Sequence, residues 1–434
     1  MNRRPRVLYL AFFFPPSRAS GVFRPLSTAN YLADHGWDVT VHAAPLNYFT
    51  DFLQSVDPSM VDKIDPRIRV VRPEMTLPGT VRQIRDYNVV RAHFPTLWNK
   101  GKKFVDARGF PEQYRSWIPN VLRAALREHV RRPFDLVIAT GNPFASFAAA
   151  WAFGRMTRTP YVLDYRDAWT FHQFLEEVRY PPGHSAWRWE KRTVEGAAEV
   201  DFVNQAMLQW HAERYPKAAE AMTVVPNGFE PSEIVATSPP PVTDAPLRYV
   251  YVGTITETMP IEELMEAWGA LRKRPGFEEA TLTIYGHLGF RPWAVQPLLD
   301  RIHDGQNGIR YAGAVAKSEV PPIYQQADVL LLWLPGGRYV TSGKVFEYMA
   351  TGLPIASVHQ SGIAAADVLD GYPAWERPES IDPAEITDVL DRAGQDARTL
   401  TEADRARARE HAMRFSRAAI LGPFEERMRR IAGV

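Results

Sequence analysis

Short apolar runs alternate with helix-like stretches along most of the chain. Five runs in the first half are rich in β-branched and aromatic residues: 6–14, 37–44, 134–140, 160–165 and 222–227. Such runs are typical of strands that are buried on both faces of a parallel sheet, with helices between them. The first half therefore predicts a doubly wound α/β domain, which we place at residues 1–229.

The same alternation restarts after a proline-rich stretch. Residues 230–247 contain five prolines and no apolar periodicity, so they predict a linker. Five further strand-like runs follow it: 247–254, 278–286, 308–313, 328–334 and 353–358. They predict a second Rossmann-like domain at 248–400. In doubly wound sheets ligands bind at the carboxyl ends of the strands, so we expect the ligand in the cleft between the two domains.

Both ends of the chain carry apolar patterns. Residues 401–434 are charged and helical in pattern, and Leu421, Phe424, Met428 and Ile431 form one apolar stripe. We expect this segment to return to the first domain. The apolar run 7–14 also resembles the start of a secretory signal, but it runs into two prolines and fits a buried strand better. No stretch approaches the roughly 20 residues of a membrane span.

Composition narrows the class of protein. The chain has 434 residues, 45% hydrophobic and 23% charged, as expected for a soluble protein of two domains. The net charge of +1 gives no global field that would favour nucleic acid. There is no cysteine, which excludes disulfides, thiolate nucleophiles and cysteine-ligated zinc. We expect a cytoplasmic protein, with a peripheral position at the inner membrane face as an alternative.

The stretch TSGKVFEYMATGLPIA, residues 341–356, suggests a site for a nucleoside diphosphate. Ser342 and Gly343 precede a short helix, whose free amides and positive end attract an anion, and Lys344 adds a charge there. Glu347 lies one turn later and could accept hydrogen bonds from two ribose hydroxyls. The alternative is an exposed Lys–Glu pair on a surface helix.

These residues resemble a known family. The segment SGKVFEYMATGLPIA is similar to the donor-binding segment of retaining glycosyltransferases of the GT-B fold, in a bacterial branch of family GT4. The stretches FFFPPSRASGVFRPLSTANYLADHGWDVTVHA, VVPNGF and YVGTITETMPIEELMEAW resemble other parts of the same family, in the same order over nearly the whole chain. The resemblance implies a nucleotide diphosphate sugar donor and a hydroxyl acceptor, which could be a glycan, a lipid-linked molecule or a small molecule. It implies no required metal or other cofactor and no nucleic acid partner.

The resemblance also assigns donor residues. Glu347 should hold the ribose, and Lys344 with the Ser342–Gly343 turn should face the diphosphate. The remaining donor-side candidates, from both domains, are Gly21, Arg24, Gly253, Thr254, Gly286, Val315, Arg338 and Tyr339.

Three positions depart from the family pattern. Many members carry an acidic residue at the position of Tyr339, and an arginine and a lysine at the positions of Thr254 and Met259. Arg338 and Lys344 are then the nearest basic residues that could compensate.

The stretch PYVLDYRDAWT, residues 160–170, predicts polar side chains at a strand end. Asp164, Arg166 and Asp167 are our catalytic candidates: Arg166 would stabilise the departing phosphate, and an aspartate would orient the acceptor hydroxyl. The alternative is a buried Asp–Arg pair that holds the loop. Asn142, in the loop after the preceding strand, is a weaker candidate for the acceptor site.

A basic and aromatic segment spans residues 80–132. It holds 12 basic and four acidic residues, a net charge of +8, together with seven aromatic residues. We expect it to contact the acceptor or an anionic membrane surface. The alternative is a solvated insertion with a few anchoring aromatic side chains.

Two other functions stay open. A sugar-nucleotide epimerase would have the same fold and donor site. A catalytically silent sugar-nucleotide-binding partner would explain the missing acid at Tyr339. A dehydrogenase is disfavoured because no G-x-G-x-x-G follows either first strand.

Overall fold

The computed structural model describes residues 3–75, 92–234, 245–289 and 292–434. The chain forms two compact units, one of Met1–Val225 with Leu421–Val434 and one of Pro226–Ile420. We call them unit 1 and unit 2.

Unit 1 contains a parallel sheet in the order β3-β2-β1-β4-β5-β8-β9, and a separate antiparallel hairpin of β6 and β7. The sheet has helices between its strands, and β1, β4 and β5 are buried along their whole length. The strands are β1 (Arg6–Leu10), β2 (Asp38–His42), β3 (Arg69–Val71), β4 (Leu136–Gly141), β5 (Tyr161–Tyr165), β6 (Phe171–His172), β7 (Glu177–Val178), β8 (Glu199–Phe202) and β9 (Met222–Val224). The described helices are α1 (Phe23–Asp34), α2 (Pro95–Arg108), α3 (Trp117–Arg131), α4 (Ala145–Thr157), α5 (Ser185–Val194) and α6 (Gln205–Arg214).

Unit 2 contains a parallel sheet in the order β12-β11-β10-β13-β14-β15. Its strands are β10 (Arg248–Val252), β11 (Thr281–Tyr285), β12 (Ile309–Gly313), β13 (Val329–Trp333), β14 (Ile355–Val358) and β15 (Trp375–Glu376). The helices from here to the end of the chain are α7 (Ile261–Leu271), α8 (Val295–Arg301), α9 (Val320–Gln325), α10 (Gly343–Thr351), α11 (Ala366–Leu369), α12 (Pro383–Thr399), α13 (Glu402–Met413) and α14 (Arg417–Ala432).

Local sequence explains where several helices begin and which face they bury. Asn204 caps α6, because its side chain accepts a hydrogen bond from the Met207 amide. Asp382 caps α12 in the same way, and a proline follows at the first helical position. In α7 the buried residues recur at helical spacing, so one face of the helix packs into the core of unit 2.

Both sheets reverse their strand order next to the first strand. The reversal lies between β1 and β4 in unit 1 and between β10 and β13 in unit 2. In open α/β sheets the carboxyl ends of the strands at such a point form a crevice that binds ligands. We therefore expect ligand-binding residues in the loops that follow β1, β4, β5, β10 and β13.

The predicted fold class is confirmed, since all ten apolar runs contain a strand. Within the two parallel sheets, the strands β3, β8 and β15 were not predicted, and neither was the hairpin of β6 and β7. The parallel strands were missed for two reasons. Two of them have only two or three residues, and β8 carries the buried acids Glu199 and Asp201, which interrupt its apolar pattern. Residues 235–244 of the predicted linker lie outside the described residues. None of the described helices has the length and apolar character that crossing a membrane requires.

The last two helices divide between the units. Helix α13 packs against α10 in unit 2, whereas unit 1 takes the chain from Leu421 onward. Phe424 and Met428 are buried in unit 1, and the Trp37 indole Nε1 donates to Glu425 Oε1 at 2.7 Å. Arg427 also forms an ion pair with Glu199 at 2.8 Å.

We expect Glu425→Ala to lower the free energy of unfolding by about 1–3 kcal/mol. The variant leaves the buried Trp37 N–H without its acceptor and removes a carboxylate from Arg429, 2.6 Å away. Glu426→Ala, at the exposed neighbouring position, is the matched control. Equal stability of the two variants in urea denaturation would show that this contact does not hold α14 in place.

Candidate functional site

Arg166 lies just after β5, at the carboxyl edge of the sheet in unit 1. Its guanidinium Nη2 donates to the backbone oxygen of Asn142 at 2.8 Å, and its backbone N–H donates to the Gly141 oxygen at 3.2 Å. Its Nε is buried and has no hydrogen-bond acceptor within the described part of the chain. The side chain is therefore held at the end of β4 while part of its hydrogen-bonding capacity stays unused.

Gly21 gives the Arg166 guanidinium its space. A Cβ atom at position 21 would lie 2.2 Å from Arg166 Nη1, closer than any side-chain contact allows. The loop after β1, the loop after β4 and the loop after β5 thus meet around one cation. The predicted residues Gly21, Asn142 and Arg166 are brought together.

Arg24 and Asp164 have a different place from the one we expected. The Arg24 guanidinium donates to both Asp164 carboxylate oxygens, at 2.7 to 3.1 Å, and to the Val225 backbone oxygen at 2.8 Å. Both side chains are buried. This pair matches the alternative of a buried Asp–Arg contact, with Arg24 as the partner instead of Arg166, so neither residue presents a free charge to a ligand.

Asp167 is held by a residue that the sequence did not suggest. The Gln173 side-chain amide donates to Asp167 Oδ1 at 3.0 Å, and its carbonyl oxygen accepts from the Ala168 backbone N–H at 2.8 Å. Gln173 is buried and lies in the turn between β6 and β7. The hairpin therefore fixes the orientation of the Asp167 carboxylate.

The loop that carries Asn142 is held by Glu112. The Glu112 carboxylate accepts from the backbone N–H groups of Phe144 and Ala145, at 3.1 and 2.8 Å, and so caps α4. Burial raises the pKa of Glu112 to about 7, although both of these hydrogen bonds favour the charged form.

The basic and aromatic segment 80–132 is only partly described, since residues 80–91 lie outside the described ranges. Among the described residues, Phe110 packs against Trp169 and Trp189, and Trp117 against Phe12. These side chains anchor the segment in unit 1. Leu97 and Phe94 are instead about 60% exposed.

In unit 2, glycines mark the ends of three adjacent strands. The Gly253 backbone N–H donates to the Tyr285 oxygen, and the Gly286 N–H donates to the Gly313 oxygen, each at 2.8 Å. A Cβ at Gly286 would lie 1.9 Å from the Gly253 oxygen, and the φ of Gly286 is 135°. The edge is a surface of backbone without side chains, which lets a ligand approach the strand ends closely.

Lys344 lies against this glycine edge. A Cβ at Gly253 would lie 2.2 Å from the Lys344 Nζ, which also lies 5.3 Å from the centre of the Tyr251 ring. No carboxylate is within ion-pair distance of this ammonium in the described residues. Burial lowers the pKa of Lys344 to about 8, opposed by the negative charge of Glu347.

Glu347, one turn further along α10, has other partners. Tyr324 Oη donates to one carboxylate oxygen at 3.0 Å, and Lys317 forms an ion pair with the other. The sequence alternative, a surface ion pair of Lys344 with Glu347, is therefore not what the structure contains. Lys317 and Tyr324 hold the Glu347 carboxylate in a fixed position.

The other predicted donor residues of unit 2 are close in sequence but have separate contacts. Ser342 immediately precedes α10, and its side chain does not cap the helix. The first backbone N–H groups of the helix, including that of exposed Gly343, therefore have no side-chain acceptor from Ser342. The Thr254 oxygen accepts from Tyr251, and Val315 packs against the core. Arg338 lies over the ring of Tyr339, at 5.7 Å.

Each unit thus presents a partly buried cation beside a glycine at the carboxyl edge of its sheet. The Lys344 ammonium, the glycine edge, and the Gly343 and Lys344 amides, which have no acceptor among the described residues, favour an anion. The fixed Glu347 carboxylate favours hydroxyl donors. Arg166 offers a second, permanent positive charge, with the Asp167 carboxylate following it in the same loop.

Two family models match the chain. Residues 24–228 match a model described as "Glycosyl transferase 4-like domain", and residues 246–394 match one described as "Glycosyl transferases group 1". No curated protein sequence matches the chain.

Many solved structures have the same fold. Sucrose-phosphate synthase from Thermosynechococcus elongatus is 14% identical, with a TM-score of 0.64 over 99% of this chain and 100% of the other. A glycosyltransferase from Rickettsia africae is 13% identical, with a TM-score of 0.65 over 99% and 98%. HepE of Anabaena in complex with UDP is 16% identical, with a TM-score of 0.62 over 98% and 99%, and it is also solved with UDP-glucose.

We expect Lys344→Met to raise the free energy of unfolding at pH 7 by about 1–3 kcal/mol, because it removes a charge whose burial is unfavourable. The Lys344 pKa is about 8 when folded and about 10.4 when unfolded. Between these pH values the unfolded chain binds more protons, so wild-type stability gains from Lys344 as the pH rises.

The advantage of the variant should therefore shrink between about pH 8 and about pH 10.4. Urea denaturation across this range measures it, with Lys273→Met at an exposed position as the control. A stability difference that does not change with pH would mean that Lys344 titrates normally.

Proposed function

We propose that this chain, which belongs to the glycosyltransferases of the GT-B fold, is a retaining enzyme that transfers a sugar from a nucleotide diphosphate to a hydroxyl acceptor. The expected enzyme class is confirmed by the two family domains. The donor type and the stereochemical outcome are the proposed steps.

The position of Lys344 carries the proposal. The Lys344 ammonium is partly buried against the glycine edge and has no carboxylate of its own in the described residues. Its positive charge is therefore poorly compensated. A diphosphate would supply the missing negative charge. The first amides of α10 would donate to the same group, and Glu347, one turn later, would accept from the ribose hydroxyls.

Sugar transfer requires charge to move onto the diphosphate. The acceptor oxygen bonds to the anomeric carbon on the face from which the diphosphate departs, the bond from that carbon to the diphosphate oxygen breaks, and the acceptor proton passes to that departing oxygen. We assign Arg166 to stabilise the departing diphosphate and Asp167 to orient the acceptor hydroxyl. In this proposal cationic side chains and a helix end neutralise the leaving group, and no metal or other cofactor takes part.

The donor can be tested with UDP and UDP-glucose, the ligands of the Anabaena HepE structures. Calorimetry with each compound, followed by release of UDP with and without candidate acceptors, separates the functions. Acceptor-dependent release supports a transferase. Conversion of the sugar nucleotide without an acceptor would indicate an epimerase, and binding without any turnover a silent partner.

We expect Glu347→Ala to weaken UDP binding by roughly tenfold to a hundredfold, because two hydrogen bonds to a carboxylate are lost. Glu410→Ala, an exposed carboxylate on α13, is the control. The fold should survive, since the contacts of Glu347 with Lys317 and Tyr324 are few. If a folded variant binds UDP as tightly as the wild type, the ribose assignment is wrong.

We expect Arg166→Lys to lower kcat by roughly ten- to a thousandfold with little change in UDP affinity, because one preorganised charge contact is lost in the transition state. A lysine cannot reproduce the planar fork that holds the Asn142 oxygen and faces Gly21. Arg155→Lys on α4 is the exposed control. A variant with near-wild-type kcat, or one that unfolds, would assign Arg166 a structural role.

A further inference from the structure

The hairpin of β6 and β7 exposes large apolar side chains at its tip. Phe174 and Leu175 are adjacent in its four-residue turn and are 62% and 58% exposed, and Val178 is 50% exposed. Single exposed apolar residues are common on soluble proteins, but a contiguous group marks a contact surface. The tip therefore exposes two adjacent large apolar side chains to solvent.

The base of the same hairpin is firmly held. Phe171 packs against Trp210 with 5.0 Å between ring centres, and Gln173 is buried against Asp167 and Ala168. The Arg179 backbone N–H donates to the Thr170 oxygen at 2.8 Å. Phe174 and Leu175 are therefore exposed at the tip of a hairpin whose base is firmly packed, and not on a loose loop.

A cavity of about 380 Å³ opens beside the hairpin. Its walls are mostly apolar and aromatic, and its charged lining residues are both cations, Lys191 and Arg214. The Arg214 guanidinium lies over the rings of Trp187 and Trp210, at 4.7 and 4.9 Å, and has no ion-pair partner within the described ranges. Tryptophan and arginine in this arrangement are typical of a boundary between apolar and aqueous surroundings.

We propose that the hairpin face, defined as Phe174, Leu175, Val178, Trp187, Lys191 and Arg214, docks on an anionic membrane surface. Phe174 and Leu175 enter the interfacial layer, and Lys191 and Arg214 pair with acidic head groups. Arg214, together with Lys191, whose Nζ lies 3.9 Å from Glu195 Oε1, supplies positive charge for acidic head groups, and the apolar tip supplies burial.

Two carboxylates work against this docking. Glu176 and Glu177 are exposed on the hairpin between Leu175 and Val178. They should weaken the attraction to acidic lipid. Replacing both with lysine is therefore expected to strengthen vesicle binding, whereas the other hairpin substitutions weaken it. Helix α2 packs against α5, which carries Trp187 and Lys191. Leu97 on α2 and Phe94, just before it, are exposed as a second apolar group.

Docking would also bear on the candidate catalytic loop. Gln173, at the base of the exposed tip, holds the Asp167 carboxylate. A docked hairpin would place this loop near the membrane surface, where a lipid-linked hydroxyl acceptor would be available. The docking itself does not depend on the proposed sugar transfer, and its test needs no sugar nucleotide.

Sedimentation of the full chain with phosphatidylcholine vesicles, with and without phosphatidylglycerol, tests the proposal. We expect binding that requires phosphatidylglycerol and weakens as salt is raised. Replacing Phe174 and Leu175 with serine should lower the partition coefficient at least roughly tenfold. Lys191→Gln and Arg214→Gln should each lower it about fivefold, and Glu176→Lys with Glu177→Lys should raise it.

Two variants control for general effects of apolar and charged surface residues. Val130→Ser changes an exposed apolar side chain on α3, and Lys273→Gln an exposed cation in unit 2. Thermal unfolding checks that every variant is folded. The proposal is overturned if the wild type does not sediment with acidic vesicles, or if the hairpin variants bind as the controls do. It is also overturned if Phe174 and Leu175 prove to hold two copies of the chain together without any vesicle binding.

Discussion

In each unit a cation occupies the space of a missing Cβ atom. A side chain at Gly21 would lie 2.2 Å from the Arg166 guanidinium, and one at Gly253 would lie 2.2 Å from the Lys344 ammonium. Both glycines follow the first strand of a doubly wound sheet, and both cations come from later loops or helices at the same edge. This steric constraint allows long basic side chains to lie flat at the strand ends, where backbone amides and helix ends already favour negative charge.

The two cations are not equivalent. Lys344 is a point charge on a flexible chain, so burial lowers its pKa to about 8 and makes its charge depend on what binds. Arg166 carries a planar guanidinium, and its Nη2 is fixed by the Asn142 oxygen. An anion that enters beside Lys344 would raise the lysine pKa again, so anion binding and protonation of Lys344 are coupled.

The sequence predicted what depends on local pattern. The apolar runs located ten strands, and the motif around 341–356 located α10 with Lys344 and Glu347 on it. It did not predict Lys317, Tyr324, Gln173 or Glu112, which hold the candidate residues or their loops through contacts between residues up to 33 positions apart along the chain. Such contacts follow from packing and leave no periodic signal. Glu112 was one of four acids counted in a basic segment, and its buried hydrogen bonds to the amides of α4 could not be read from composition.

The polar residues of the segment DYRD have different surroundings because the strand β5 ends within that segment. Asp164 is still inside β5, so its side chain lies on a face of the sheet that α1 covers, and only a buried counter-charge such as Arg24 makes a carboxylate tolerable there. Arg166 is the first residue beyond the strand, where the backbone is free to turn its side chain toward the loops after β1 and β4. Of three polar residues that look equivalent in sequence, Asp164 therefore forms a buried ion pair with Arg24, whereas Arg166 and Asp167 remain a partly exposed pair. Any ligand at this edge would meet the second pair, while the first keeps α1 and β5 together beneath it.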